Sequence, residues 1–314
     1  MNRSMTRRTF LKTSAAAGTA AIGLAHAAPV QAAKRTFDIS LAAWSLHRSI
    51  GEGEGKIPML DMPKLARQEF DIGAVELVNR MMAATDKAYV DEFAKNCADN
   101  NVKPLLIMVD GEGNIGSKDE SQRDDAVKRH MKLVDICADL GCHSMRMNWV
   151  GAAQDVTDSP EKLKAFIDVS VAPFRKLCDY GDKKNINIIL ENHGGASSHP
   201  AAMEKLMAEV DHPRFGTLPD FGNFPRKDNG EYALDIYDAI DRMMKFAKAV
   251  SAKCYDFDET TGLETKLDFE RLIKICVDKH KYSGFIGIEY EGDRMSEFDG
   301  IKAAKKLLDK LKQG

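Results

Sequence analysis

The stretch "INIILENHGG", residues 186–195, begins as a buried strand and ends in polar residues that a buried strand avoids. Four aliphatic side chains lead directly into Glu191, Asn192 and His193, and two glycines follow. A short apolar run without alternation is typical of a parallel strand that is covered on both faces. The stretch therefore predicts a parallel sheet with polar, functional residues at the carboxyl end of its strands.

Eight apolar runs of this kind alternate with amphipathic segments after residue 35. The runs recur roughly every 30 to 40 residues, which is the length of one strand-plus-helix unit. In the segment after Gln122, for example, Val127, Met131, Val134 and Cys137 lie on one helical face. Eight such units, with no linker dividing them, predict an α/β fold, a (β/α)₈ TIM barrel. The predicted strands are residues 37–44, 73–78, 104–109, 143–149, 186–191, 215–220, 249–255 and 285–290.

An open, doubly wound sheet is the alternative architecture, and it usually carries a glycine-rich turn after its first strand. The nearest candidate is "IGEGEGK", residues 50–56, which does not open a clear helix. We interpret this segment as a mobile loop, and the barrel remains the better prediction.

The N-terminus carries "TRRTFLK", residues 6–12, followed by a weakly apolar stretch rich in alanine and glycine. This pattern looks like a twin-arginine export signal. The stretch is too short, and its alanine and glycine residues are too weakly apolar, for a stable membrane span. We therefore expect a signal peptide over residues 1–33, a single TIM-barrel catalytic domain over residues 34–314, the twin-arginine machinery as a partner, and a periplasmic or otherwise exported protein.

The composition is that of an ordinary globular protein, with 44% hydrophobic and 30% charged residues in 314. A net charge of -3 offers no electrostatic footprint for nucleic acid. A small neutral or mildly charged ligand fits better, and no cluster of Arg or Lys follows any one strand to bind a phosphate. The six cysteines form no C-x-x-C pair, so we expect reduced thiols packed in the core.

Three acidic residues, Glu191, Asp220 and Glu289, each follow an apolar run. In a barrel they would meet at one mouth, because the carboxyl ends of all strands face the same side. Three carboxylates in a partly dehydrated cavity repel one another unless a cation lies among them or some hold protons. A divalent metal, Mn²⁺, Mg²⁺ or Zn²⁺, is the simplest remedy. The alternative is a structural ion-pair network with Arg146 or Lys253.

Other polar and aromatic residues stand at the same strand ends and are candidates for binding a carbohydrate. Arg146 and Asn148 alternate so that both face inward, which suits hydroxyl recognition, and a tryptophan face is a common platform for sugar rings. Asp258, Glu259 and Glu297 are expected to be solvated loop charges. The predicted substrate-binding residues are Trp44, His47, Asp110, Arg146, Asn148, Asn223 and Tyr255.

The segments "ILENHGG", "TLPDFGNF", "VSAKCYDFD" and "GFIGIEYEG", in this order, resemble the xylose-isomerase-like barrel superfamily of sugar (phosphate) isomerases and epimerases. The resemblance covers nearly the whole chain after the signal. It implies that Glu191, Asp220 and Glu289 are three of the four usual metal ligands. It also implies that the two glutamates are the acid/base pair that moves a proton on a ketose or enediolate, and it leaves a homo-oligomer open.

The sequence departs from the family pattern at the fourth ligand, a histidine two residues before the strand-seven lysine. Ser251 stands there, which puts metal binding in doubt. His193, water or a substrate oxygen could complete the shell. Lys253 is kept, and its ammonium could neutralise part of the carboxylate charge. Lys253 and His193 therefore join Glu191 and Glu289 as candidate catalytic residues.

The leading hypothesis is a sugar isomerase or epimerase that acts next to a carbonyl. Export favours a free sugar, a keto-glycoside or a cyclitol over a sugar phosphate. The same proton abstraction supports β-elimination, so a lyase or dehydratase is the closest rival. A non-catalytic, periplasmic sugar-binding barrel is the non-enzyme alternative. Metal-dependent phosphodiester cleavage is disfavoured, since the histidines are scattered and the charge is slightly negative.

Overall fold

Eight parallel strands run through the part of the chain that the computed structural model describes, residues 34–151 and 156–313. The predicted export signal at residues 1–33 lies outside the described residues. The hydrogen-bonded order is β6-β5-β4-β3-β2-β1-β8-β7, so neighbours in sequence are neighbours in space. The strands are β1 Asp38–Ala42, β2 Ala74–Val78, β3 Lys103–Val109, β4 Ser144–Met147, β5 Asn187–Glu191, β6 Phe215–Leu218, β7 Val250–Cys254 and β8 Phe285–Tyr290.

The two ends of this sheet, β6 and β7, meet and close the barrel. Parallel bridges join Thr217 to Ala247 and Asp220 to Ser251. The backbone N–H of Ser251 also donates to the carbonyl of Pro219 at 3.0 Å. The predicted (β/α)₈ TIM barrel is therefore confirmed, and the seam that closes it brings Asp220 next to Ser251.

Eight α-helices alternate with the strands over the described residues, as the periodicity predicts. The last helix buries Ile301, Ala304, Leu308 and Leu311 against the barrel, the face expected from their spacing. The helix that begins at Phe269 continues into a π-helix, Lys274–Lys279. The helices are α1 Met62–Phe70, α2 Lys87–Asp99, α3 Glu120–Asp139, α4 Pro160–Lys184, α5 Pro200–Val210, α6 Ile236–Met243, α7 Phe269–Ile273 and α8 Glu297–Lys312.

Four strands, β1, β4, β6 and β7, end one or two residues earlier than predicted, so that Trp44, Asn148, Asp220 and Tyr255 lie beyond the strand ends. β1 stops at Ala42 and gives way to a 3₁₀ turn, Ala43–Leu46, so that Trp44 lies on a turn above the strand. β6 stops at Leu218 because Pro219 has no backbone N–H to extend the ladder. Asp220 therefore lies on the loop that leaves the strand.

All six cysteines are free and buried, which confirms the expectation of reduced, packed thiols. Among the described residues, no helix is both long enough and apolar enough to cross a bilayer.

Candidate active site

Three buried carboxylates meet at the carboxyl end of the barrel. Glu191 ends β5, Asp220 follows β6 and Glu289 lies near the end of β8, and none is more than 2% exposed. Each offers an oxygen atom within 4.8 Å of the other two. The predicted convergence of these three residues is confirmed.

Glu191 is held by two neighbouring side chains. Nε and Nη2 of Arg146 both donate to Glu191 Oε2, and Asn223 Nδ2 donates to Oε1 at 2.7 Å. Arg146 is 1% exposed and also donates from Nη1 to Asp110 Oδ1 at 2.8 Å. Burial alone would raise the pKa of Asp110, but the Arg146 guanidinium outweighs it and holds that pKa below its usual value. Arg146 is thus shared between two carboxylates and offsets part of their combined charge.

Asp220 is positioned by the backbone around it. Its Oδ1 accepts the N–H groups of Gly222 and Asn223, both at 2.8 Å. Asn192, buried at the end of β5, donates to the Asp220 carbonyl at 2.9 Å and accepts the Asp220 N–H at 2.8 Å. The side chain of Asn192 therefore ties the loop after β6 to the end of β5.

Ser251 lies between two carboxylates. Its hydroxyl oxygen is 2.6 Å from Asp220 Oδ2 and 2.9 Å from Glu289 Oε2. One hydroxyl proton can be donated to only one of them, so a second proton is needed to satisfy both contacts. Burial raises the pKa of Asp220 well above its usual value, and the nearby Glu289 and Glu191 charges raise it further against the opposing effect of Lys253. Both contacts are satisfied if a protonated Asp220 donates to the Ser251 hydroxyl and Ser251 donates to Glu289.

Lys253 is the second cation of the site and is 2% exposed. Its ammonium lies 3.0 Å from Glu289 Oε1, 3.1 Å from Glu291 Oε2 and 3.1 Å from Asn223 Oδ1. Burial alone would raise the pKa of Glu289, but Lys253, Arg146 and Ser251 outweigh it and hold that pKa below its ordinary range. Glu289 is therefore ionised at neutral pH.

The donor set suits a hard divalent cation. The three carboxylates offer oxygen only, and Ser251 adds a hydroxyl oxygen where the resemblance has an imidazole. An all-oxygen set of this kind fits Mg²⁺ or Mn²⁺ and is less suited to Zn²⁺, which favours nitrogen and sulfur ligands. A metal bound here would displace the proton shared between Asp220 and Ser251.

His193 and Asn148 occupy different positions relative to this cluster. The His193 side chain is exposed and contributes no atom to the carboxylate cluster. Its role as a substitute ligand gains no support. Asn148 Nδ2 donates to Asp110 Oδ1 at 2.7 Å, whereas its buried Oδ1 has no partner among the described residues. An acceptor left open beside the carboxylates is suited to a substrate hydroxyl.

Trp44 and His47 lie on the loop after β1 and are both half-buried. His47 Nδ1 is 2.8 Å from the Trp44 carbonyl and 3.6 Å from Glu297 Oε1. The expectation that Glu297 is solvated is wrong: it is 4% exposed and accepts from the Arg48 N–H at 2.6 Å. Its carboxylate ties this loop to the start of α8. Asp258 and Glu259 are exposed, as expected.

Glu76, in the middle of β2, is a further buried acid. It is 1% exposed, and Ser40 donates to its Oε1 at 2.6 Å while Oε2 has no partner among the described residues. The facing position on β8 is Gly287, where a Cβ would lie 2.5 Å from the carboxylate. Glycine is therefore required to make room for it. Burial raises the pKa of Glu76 to about 7.

This raised pKa predicts a pH dependence of stability. An acid with a higher pKa in the folded state stabilises the fold fully below its unfolded pKa, near 4.5, and loses that contribution as the pH rises through about 7. The contribution is about 3 kcal/mol. We expect Glu76→Gln to flatten the fall in unfolding free energy between pH 5 and 7.5, measured by urea titration. Glu54→Gln, an exposed control, should keep the wild-type slope, and an unchanged slope in Glu76→Gln would contradict the assignment.

Comparisons with known proteins agree with this architecture. A family model described as xylose isomerase-like TIM barrel matches residues 64–313. A model of the twin-arginine translocation signal matches residues 4–24, which confirms the predicted export through that pathway. A comparison with curated proteins finds no match.

Solved structures share the fold at low sequence identity. L-ribulose 3-epimerase has a TM-score of 0.69 at 15% identity, over 88% of this chain and 94% of its own. A xylose isomerase-like TIM barrel protein from Mycobacterium smegmatis in complex with magnesium has a TM-score of 0.65 at 16% identity, over 89% of this chain and 97% of its own. The probable 3-DHS dehydratase from Bacillus anthracis has a TM-score of 0.62 at 16% identity, over 87% of this chain and 99% of its own. The chain covers nearly the full length of each.

Proposed function

Since this chain belongs to the xylose isomerase-like TIM barrel family, we propose that it is a sugar isomerase or epimerase acting next to a carbonyl. The observation that carries the proposal is the pair Glu191 and Glu289, which belong to different strands and have oxygens within 4.8 Å of each other. Both are buried, so water screens their charges only weakly. The substrate is a free sugar, a keto-glycoside or a cyclitol.

The two glutamates divide the proton transfer. One removes the proton from the carbon beside the carbonyl, and the other supplies a proton to the opposite face for epimerisation or to the neighbouring carbon for isomerisation. Glu289 suits removal, because Lys253 keeps it ionised at a distance of 3.0 Å. Glu191 is held rigid by Arg146 and Asn223 and faces the same space.

Charge develops on the carbonyl oxygen as the proton leaves, and the site contains cations to stabilise it. Arg146 and Lys253 are both buried, so their fields are little screened by water. Glu191, Asp220 and Glu289 would hold a divalent metal, and such an ion supplies Lewis-acid polarisation of the carbonyl and hydroxyl oxygens. The open Oδ1 of Asn148 accepts a hydroxyl of the substrate.

Deuterium exchange tests the proposal directly. The purified protein is incubated in D₂O with Mn²⁺ and either D-fructose or a methyl 3-keto-glucoside, and loss of the C–H signal beside the carbonyl is followed by proton NMR. We expect exchange that depends on the protein and that falls after treatment with EDTA. Absence of exchange with every keto-sugar, together with tight sugar binding, would instead favour a non-catalytic binding barrel.

β-Elimination is the second candidate, because it begins with the same proton abstraction. The probable dehydratase from Bacillus anthracis shares the fold and supports keeping this alternative. The mass of the product separates the two reactions, since an epimer or isomer keeps the mass of the substrate and an elimination product loses the leaving group.

A further inference from the structure

A pocket of about 830 Å³ opens beside the carboxylate cluster, and no part of the proposed proton transfer uses it. Its walls come from the loop after β6 and from the segments that follow β7. Its lining includes two cations, Arg226 and Lys266, and two aromatic rings, Tyr232 and Tyr255. Arg226 and Lys266 are 40 positions apart, so the sequence shows no basic cluster here.

The two cations are arranged around aromatic rings rather than paired with acids. The Arg226 guanidinium lies 3.9 Å from the Tyr232 ring centre and 5.9 Å from that of Tyr255, and Lys266 Nζ lies 5.2 Å from the Tyr255 ring centre. Within the described residues, neither cation forms an ion pair with a carboxylate. The acid in the lining, Glu231, lies 3.8 Å from Lys227. With Arg226 and Lys266 as the lining cations, the pocket has a net positive charge.

This contrasts with other cations near the barrel mouth. Arg146 and Lys253 are bound to buried acids, and the exposed Arg294 is paired with Asp256 and Glu259. Arg226 instead donates hydrogen bonds to two neutral oxygens, the Gly230 carbonyl at 2.8 Å and the Tyr232 hydroxyl at 2.6 Å. Its remaining N–H groups are available to an anion.

A buried acid fixes the geometry of the pocket. Glu264 is 8% exposed, and its carboxylate accepts backbone N–H groups from both sides of a loop. Tyr255 and Asp256 donate from the end of β7, and Lys266 and Leu267 donate from the returning segment. The Glu264 carboxylate therefore fixes the backbone of Lys266 beside Tyr255.

Tyr255 connects the pocket to the proposed reaction site. Its hydroxyl would lie 2.4 Å from a Cβ at Gly222, so its ring rests against the segment whose N–H groups bind Asp220. Burial raises the pKa of Tyr255, and the Asp220 charge raises it further, which places that carboxylate nearby. A saccharide seated at the carboxylates would extend past Tyr255 toward Arg226 and Lys266.

We propose that this pocket is a subsite for an anionic group on the sugar, a carboxylate or a phosphate ester, held by Arg226 and Lys266 with the tyrosine rings supporting the sugar face. This inference rests on the proposed function for the location of the reacting carbon. It departs from the neutral sugar favoured above, because guanidinium and ammonium groups without acidic partners favour an anion, whether the sugar carries a carboxylate or a phosphate ester.

Binding without turnover tests the subsite. Affinities for glucuronate, glucose 6-phosphate and glucose are measured by calorimetry on the full chain and on Arg226→Gln/Lys266→Gln. We expect the wild type to bind one of the two anionic sugars about tenfold more tightly than glucose, and the double variant to lose this preference. A preference for glucuronate assigns a carboxylate, and one for glucose 6-phosphate assigns a phosphate ester.

The control is Lys128→Gln/Arg129→Gln, which removes the same two residue types from the exposed surface of α3 and should keep the preference. Equal affinity of the wild type for all three sugars, or a preference that survives in the double variant, would overturn the subsite. These readouts need no exchange activity. Failure of proton exchange with intact anion preference therefore rejects the proposed reaction alone, and the reverse outcome rejects the subsite alone.

Discussion

Glu289→Gln and Glu191→Gln are each expected to lower the rate of proton exchange into a keto-sugar by about 10²- to 10⁴-fold. The amide keeps the size of the side chain but cannot accept or deliver the proton. Glu289→Gln should have the larger effect on proton removal, since Glu289 is the carboxylate that Lys253 keeps ionised. The measurement is deuterium incorporation by NMR at saturating sugar.

Controls separate this loss from general damage. Glu259→Gln replaces an exposed carboxylate at the same end of the barrel, paired only with Arg294, and should keep the wild-type exchange rate. Both active-site variants should retain the wild-type circular dichroism spectrum. Exchange within threefold of wild type in Glu191→Gln and Glu289→Gln would remove the two glutamates from the mechanism.

Arg146→Met is expected to lower the free energy of unfolding by about 3–5 kcal/mol. Arg146 is 1% exposed and bonds to Glu191 and Asp110, so its removal leaves two carboxylates without their cation in a buried site. Methionine is unbranched and fills much of the same space, which limits the contribution of a cavity. Urea unfolding at pH 7 measures the change.

A second variant shows whether the charge is the cause. Glu191→Gln combined with Arg146→Met removes both partners of the pair and should recover part of the stability lost in Arg146→Met alone. Arg146→Lys keeps the charge but not the planar, forked contact, so it should lie between wild type and Arg146→Met. A loss below 1 kcal/mol in Arg146→Met would mean that the cluster does not depend on this cation.

The fold was predictable from local patterns because eight apolar runs alternate with amphipathic helices. The three site carboxylates were predictable for the same reason: each lies at or just beyond the carboxyl end of a strand, and parallel strands end on one side of the barrel. The boundaries were less predictable. Pro219 ends β6 two residues early and the turn at Ala43–Leu46 ends β1 early, and both effects depend on local backbone chemistry within an apolar run.

The hydrogen-bond partners of the site residues could not be predicted from the sequence. Ser251 bridging Asp220 and Glu289, and Asn192 docking the β6 loop, depend on closure of the barrel between β6 and β7. Glu297 reads as a surface charge in the sequence, since it lies in the acidic first turn of a helix, yet the fold buries it beneath the β1 loop. Such contacts join positions tens to hundreds of residues apart.

The sequence by itself determined the barrel, the export signal and the side on which the acids would gather, because periodicity and strand order are local properties. Only the tertiary structure decided which charges neutralise which. The sequence makes Arg146 and Lys253 candidates for pairing with the acids, and the fold decides that Arg146 contacts Glu191 and Lys253 contacts Glu289. Arg226 and Lys266 show the opposite case, since the fold brings both beside Tyr255 and neither has an acidic partner among the described residues. Electrostatic roles depend on distance in space rather than on order along the chain.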